Sequence, residues 1–237
     1  TRHLIGKVMY KKTLALAVVL AVAPASALAD TVFGVYAGGQ FWDADSEGEY
    51  AFASNVIEPN FENESQSSYY IALEHPVPFI PNIKVRENSL EVTSDYGKND
   101  FSHRDYIFYY EIFDNDLVSF DVGVNAMDFD GSLWVLGSDT IGRQDFSVVV
   151  PTAYVAARVG IPATDWTFFA DASALSAKDS KVQDAQIGIE YRLVDNLAVD
   201  VSLNAGYRHS VIELDDVDDI YSDVTFKGPF VGVEVHF

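Results

Sequence analysis

Two pairs of residues have the types to move protons, and one of them has the spacing. His103 and Asp105 stand two apart in the alternating segment SHRDYIFYYEIF, so on an extended chain they share one face. A histidine oriented by a carboxylate can act as a general base. His209 and Ser210 have the types of a base and a nucleophile, but they are adjacent, and a strand turns neighbours to opposite faces. Clustered carboxylates are the second kind of candidate. Asp215, Asp216, Asp218 and Asp219 crowd one segment, and Asp43, Asp45, Glu47 and Glu49 alternate just behind Trp42. Close-set oxygens suit hard cations such as Ca²⁺ and Mg²⁺, yet the first cluster lacks the glycine-containing spacing of a dedicated calcium loop, and its plainer reading is a solvated loop. With 0 cysteines there is no disulfide framework and no thiolate metal site. Met9 and Met127 form no ligand pattern, so no cofactor is expected.

The elements that must position these groups begin with a segment to be set aside. Lys11 and Lys12 precede an apolar run from Leu14 to Ala23, and Ala27-Leu28-Ala29 supplies the small-x-small pattern that a signal peptidase cuts after. Residues 1–29 are therefore expected to be upstream sequence and an export signal, with the mature protein, 30–237, starting at Asp30. The run is about ten residues, half of what a membrane-crossing helix requires. The segment holds Arg2, Lys7, Lys11 and Lys12 and no acid. Removing those four from 15 basic residues leaves 11 against 36 acids, a balance of −25. Phosphate backbones need clustered cations, so nucleic acid is excluded as a partner. A charge this large opposes compaction unless the acids sit in water.

The rest of the chain alternates. Val118, Phe120, Val122, Val124 and Ala126 oppose Ser119, Asp121, Gly123 and Asn125, and Ala185 to Leu193 and Val199 to Tyr207 repeat the pattern. In the last segment Val231, Val233, Val235 and Phe237 take one face, while Gly232, Glu234 and His236 take the other. One oily and one polar face per strand is the lipid-out, polar-in pattern of a membrane barrel. A soluble sandwich also alternates. Here, however, the polar faces carry both charge signs with Gly, Ser and Asn, and the oily faces end in Tyr191, Tyr207, Trp166 and Phe237, as interfacial girdles do. Trp42, Trp134 and Trp166 read as interface or loop-packing residues. The expected fold is all-β, an antiparallel up-and-down transmembrane β-barrel of about ten strands, or eight if two weak segments are misread. Ten strands are placed at 32–42, 67–74, 83–93, 102–113, 117–129, 146–160, 166–175, 183–193, 197–208 and 224–237. Short turns, among them 75–82, alternate with long acidic loops at 43–66, 94–101, 130–145, 176–182 and 209–223, and both ends fall on the short-turn side.

On the inward faces this arrangement lines up Glu74, Lys84, Arg86, Asp105, Glu111, Asp121, Arg158, Asp171, Glu190, Arg192, Asp200, Arg208 and Glu234. Buried charge is tolerated when paired and hydrogen-bonded, so a salt-bridged, largely closed lumen is expected. A narrow charge-lined path for ions or small solutes is the alternative, and ten strands are too few for a wide pore.

Four stretches, FGVYAGGQFW, LEHPVPFIPNIKVR, YYEIFDNDLVSFDVGV and the terminal GPFVGVEVHF, resemble a family of Gram-negative outer-membrane β-barrels known by its location and without an assigned activity. Val231, Val233, Val235 and Phe237 resemble the terminal-strand signal read by the assembly machinery of such barrels. The resemblance spans the whole mature chain. It implies the barrel fold and a bacterial outer-membrane location, and it carries no catalytic residues; outer-membrane lipid and lipopolysaccharide are the expected partners, and a monomer is the default expectation. The functions it leaves open are a structural or surface-interaction role, a narrow passive channel, and a rim hydrolase of the lipid A deacylase or omptin kind. The hydrolase would use His103 and Asp105, with Asp215 to Asp219 as a second acidic pair.

Overall fold

β-branched and aromatic side chains at every second position favour extended chain, and extended chain needs neighbours for its backbone groups. The computed structural model describes residues 33–52, 55–115, 117–136, 141–177, 180–196, 198–217 and 220–237. Its strands are β1 (Gly34–Phe52), β2 (Asn55–Ile57), β3 (Glu64–Glu74), β4 (Asn82–Ser89), β5 (Glu91–Ser94), β6 (Gly97–Asp100), β7 (His103–Asp114), β8 (Val118–Leu136), β9 (Ile141–Gly160), β10 (Trp166–Ala177), β11 (Ser180–Asp195), β12 (Asp200–Val217) and β13 (Ile220–His236). Ten of them form a ring in the order β1-β3-β4-β7-β8-β9-β10-β11-β12-β13, closed by β13 against β1, and each neighbouring pair is antiparallel. Closure leaves the ring without an unpaired edge at its waist. The fold is thus the expected ten-strand barrel, not the eight-strand alternative. β2 pairs with β1, and the hairpin β5-β6 folds over the long-loop end, touching β8 at Asp100↔Ser132. The export-signal residues, with Ala27, Ala29 and Asp30, lie outside the described residues.

Parity is kept along β1 and β13 while the chemistry of the two faces exchanges. On β1 the outward side carries Val35 and Phe41 and then Asp43, Asp45, Glu47 and Glu49, whereas the inward side passes from Gln40 to buried Trp42 and Ala44. On β13 the outward Val233 and Val231 give way to Lys227, Thr225 and Asp223, as the inward Glu234 gives way to Phe230, Phe226 and Val224. Where hydrocarbon is the outer medium, oily side chains face out; where water is, they gain by turning inward.

The long loops expected from the acidic composition are therefore largely strand. β1 runs to Phe52, β8 and β9 pair up to Leu136↔Ile141, and β12 and β13 pair up to Val217↔Ile220. Their inward residues, with Leu90 and Phe101 from the connections flanking the β5-β6 hairpin, build an apolar cluster inside the long-loop half of the barrel, with Trp42, Leu90, Phe101, Met127, Phe129, Leu133, Ile212 and Phe226 each at most 1% exposed. Phe101 meets Phe226 edge-on at 5.7 Å. Trp42, read from sequence as an interface or loop residue, points into this cluster and donates Nε1–H to the Gly228 carbonyl at 3.1 Å. A glycine is required at that carbonyl: a Cβ on Gly228 would lie 1.9 Å from the Asp43 oxygen of the closing strand. Trp166, by contrast, stays outward beside Tyr191 (ring centroids 4.7 Å apart), and Trp134 packs against Gly97 of the β5-β6 hairpin.

Candidate functional site

Below the apolar cluster the inward positions of five strands bring charged side chains to one level of the lumen. Parity makes Arg86 of β4, Asp105 of β7, Asp171 of β10, Asp184 of β11 and Arg208 of β12 face one another. Arg86 donates Nε–H to Asp105 Oδ2 (2.8 Å) and Nη2–H to Asp184 Oδ2 (2.9 Å), with Nη1 3.6 Å from Asp171 Oδ1. Arg208 forms a fork on Asp184, Nε to Oδ1 at 2.8 Å and Nη2 to Oδ2 at 2.5 Å. Its remaining donors reach Ser68 Oγ (2.7 Å) and Asn88 Oδ1 (2.8 Å), and its plane lies 4.9 Å from the Trp42 ring. Asn88 and Asn125 each donate to Asp105 at 2.9 Å. Bidentate, charge-assisted bonds of this kind are the strong ones, and they are made by side chains 0–3% exposed.

Toward the short-turn end lies a second tier. Arg158 Nη2 donates to Glu190 Oε2 at 2.6 Å and stands 3.4 Å from Glu234 Oε1. The Tyr70 hydroxyl donates to Glu234, and Lys84 sits over the Tyr70 ring at 4.3 Å. At the mouth the Tyr109 hydroxyl donates to Glu74 (2.7 Å), Asn82 donates to Glu111 (3.3 Å), and Asp121 points into the same space. Tyr36 stacks on His236, which stands 3.7 Å from Asp200 at the rim.

Most of the charges read from sequence as lumen residues therefore do meet. Arg192 does not. A register irregularity follows it in β11, and it projects at the short-turn rim, exposed, toward Asp195 at 3.0 Å. Asp184, the hub of the upper tier, was not singled out from sequence, although the parity of Gln186, Gly188 and Glu190 extends back to it by one step.

His103 and Asp105 share a face as their spacing requires, but that face is sealed rather than at an outer rim. Both side chains are fully buried, Nε2 lies 4.0 Å from Asp105 Oδ1, and Nδ1 is 3.2 Å from the Phe101 carbonyl. Phe129 covers the imidazole at 4.6 Å. No substrate carbonyl can reach this pair without opening the apolar cluster. His209 and Ser210 point to opposite faces, with Ser210 buried inside. Asp218 and Asp219 lie outside the described residues, as do the side chains of Asp215 and Asp216.

His103, Asp105 and Asp184 bring potential metal-ligand atoms within 4.8 Å of one another. The two carboxylates are already committed, because both Asp184 oxygens and Asp105 Oδ2 accept from guanidiniums and Asp105 Oδ1 accepts from Asn125, while His103 Nε2 has no hydrogen-bond partner. A divalent ion there would lie against two fixed positive charges. Both carboxylates of this donor set are engaged in ion pairing.

Fold and lumen together define a membrane-spanning antiparallel barrel: an outward apolar belt, an inward ion-pair network, and an apolar cluster filling the long-loop half. Among solved structures, the chain is similar to the beta domain of the Bordetella autotransporter BrkA (11% identity, 87% of this chain and 99% of that one, TM-score 0.48). It is also similar to the outer-membrane protein AlkL in lipid bilayers (13%, 91% and 95%, TM-score 0.43) and to Neisserial surface protein A (13%, 86% and 97%, TM-score 0.35). No protein-family model and no curated protein matches the chain.

Proposed function

We propose that this chain is an integral outer-membrane barrel with a structural or surface-interaction role and a lumen closed to solutes. The observation that carries the reading is the stacking of two seals in one bore. Ion pairs occupy the membrane level, and the cluster around Trp42, Phe101, Phe129 and Phe226 closes the long-loop half above it. A conducting path needs water-lined walls or sites weak enough to release an ion, and neither the Arg86–Asp184–Arg208 network nor the apolar cluster offers one. The acids Asp43, Asp45, Glu47 and Glu49 then project outward above the lipid belt, where lipopolysaccharide phosphates with bridging divalent ions are the natural neighbours. The lipid, the lipopolysaccharide and the barrel-assembly machinery are its partners, and the protein works as a monomer.

The test is planar-bilayer recording on purified, refolded protein, with folding verified by a heat-modifiable shift on unboiled gels. Current indistinguishable from bare lipid is the expected result. Reproducible unitary steps would replace this reading with that of a narrow channel.

A further inference from the structure

The turn between β3 and β4 differs in kind from the other connections at its end of the barrel. The turns after β7, β9 and β11 are closed by polar caps: Asn115 Oδ1 accepts from Leu117 and Val118, Thr164 Oγ1 from Trp166, and Asn196 Oδ1 from Ala198 and Val199. The β3-β4 turn is His75-Pro-Val-Pro-Phe-Ile-Pro81, uncharged from 76 to 81. It leaves Phe79 93% exposed, Ile80 55% and Val77 43%. Apolar groups held in the open at this level normally mark a surface that another medium covers.

Three features say which medium. First, the turn continues the lipid-facing belt. Tyr110 and Ile112 are the exposed outward residues at the end of β7, beside β4, and the Tyr110 hydroxyl donates to the Phe79 carbonyl at 3.0 Å. The turn is therefore tied to the outside of the barrel wall, not across its mouth. Second, its backbone has few groups that need water. Pro76, Pro78 and Pro81 have no N–H, His75 N–H is taken by Asn82 Oδ1 (2.9 Å), and Val77 N–H by His75 Nδ1 (3.3 Å), which leaves the N–H groups of Phe79 and Ile80 for the polar headgroup layer. Lipid tolerates backbone only where its polar groups are satisfied or absent. Third, Phe79 holds a φ of +69°, a conformation that bulky side chains avoid. The flanking prolines and the Tyr110 bond keep that geometry and present the ring outward.

We propose that residues 76–81 are a lipid anchor, seating Val77, Phe79 and Ile80 in the headgroup and acyl-chain boundary of the leaflet on the short-turn side. The partner is the phospholipid itself. This rests on the barrel lying in a bilayer, and the test separates the two claims.

The chain has 0 cysteines, so single-cysteine variants take one label each. Phe79→Cys, Val233→Cys on the lipid belt and Asp45→Cys above it are each labelled with an environment-sensitive nitrobenzoxadiazole probe. All three alter exposed side chains, and a heat-modifiable gel shift checks their folding. They are reconstituted in phosphatidylcholine vesicles with nitroxide-bearing lipids, the nitroxide placed shallow or deep on the acyl chain. For position 79 the expected result is blue-shifted emission, severalfold stronger quenching by shallow than by deep nitroxide, and protection from aqueous iodide. Position 233 should respond most to the deep nitroxide, and position 45 to iodide only. If the position-79 probe behaves like position 45 while position 233 is quenched by lipid, the anchor is overturned and the turn faces water or a protein partner. If position 233 also escapes lipid quenching, the membrane placement falls and takes the anchor with it.

Discussion

Arg208→Met tests whether the centre of the barrel is dry. Arg208 is 1% exposed and forms a fork on Asp184, with further bonds to Ser68 and Asn88. Methionine matches much of its volume and removes every donor. The substitution leaves Asp184 with Arg86 alone as a charged partner and strips Ser68 and Asn88 of theirs. Breaking a buried ion pair from one side costs about 3–5 kcal/mol, a factor of roughly 10² to 10⁴ in the unfolding equilibrium constant. The same pair in a water-filled bore would behave as a surface salt bridge and cost about 0–1 kcal/mol. The assay is reversible guanidinium unfolding in phospholipid vesicles, followed by tryptophan fluorescence. With a slope of about 4 kcal/mol per molar, the midpoint should fall by roughly 1 M. Asp184→Asn in the same background should cost less than it does alone, because the carboxylate it removes has already lost its fork with Arg208. A loss below about 1 kcal/mol for Arg208→Met, with additive double variants, would refute the dry network and remove the main support for a closed lumen.

Three further outcomes follow from the face exchange along the strands. Val231→Arg places a charge on the lipid belt and should destabilise by about 2–4 kcal/mol, whereas Asp45→Lys, same parity but above the belt, should leave the unfolding midpoint unchanged. Phe226→Ala, inside the apolar cluster, should cost about 3–5 kcal/mol; the same midpoint assay reads it, and a loss no larger than that of a lipid-facing truncation would contradict a packed interior. Chelator or added Zn²⁺ should not move the midpoint, since the carboxylates of Asp105 and Asp184 are held by Arg86 and Arg208 and His103 alone is left to offer a ligand atom. A metal-dependent rise would show that the guanidiniums yield to an ion.

Gly228→Ala examines the closing seam. The added Cβ would meet the Asp43 carbonyl at 1.9 Å, which is backbone and cannot swing aside. Folding yield on gels should drop sharply, while Gly142→Ala, whose Cβ meets nothing, should fold normally.

The barrel was legible in the sequence because a period-two pattern reports which medium each face meets, strand by strand, without reference to distant partners. Val231, Val233 and Val235 against Gly232 and Glu234 say that much alone, and short turns alternating with long acidic stretches set the number of strands. The same pattern continued past Trp42 and Phe226, but acidic composition at 43–49 and 209–223 suggested loops. Residues 43–49, 209–217 and 220–223 are strand, because acids at outward positions are compatible with strand once the inward positions are apolar. Spacing also placed His103 and Asp105 on one face. Only the closed ring could decide that this face is sealed under Phe129, that Asp184 from β11 joins Arg86 from β4 and Arg208 from β12, and that Arg192 turns away to Asp195. Parity is local and travels along one chain segment, whereas the meeting of charges across a bore depends on register and closure, which no single strand contains.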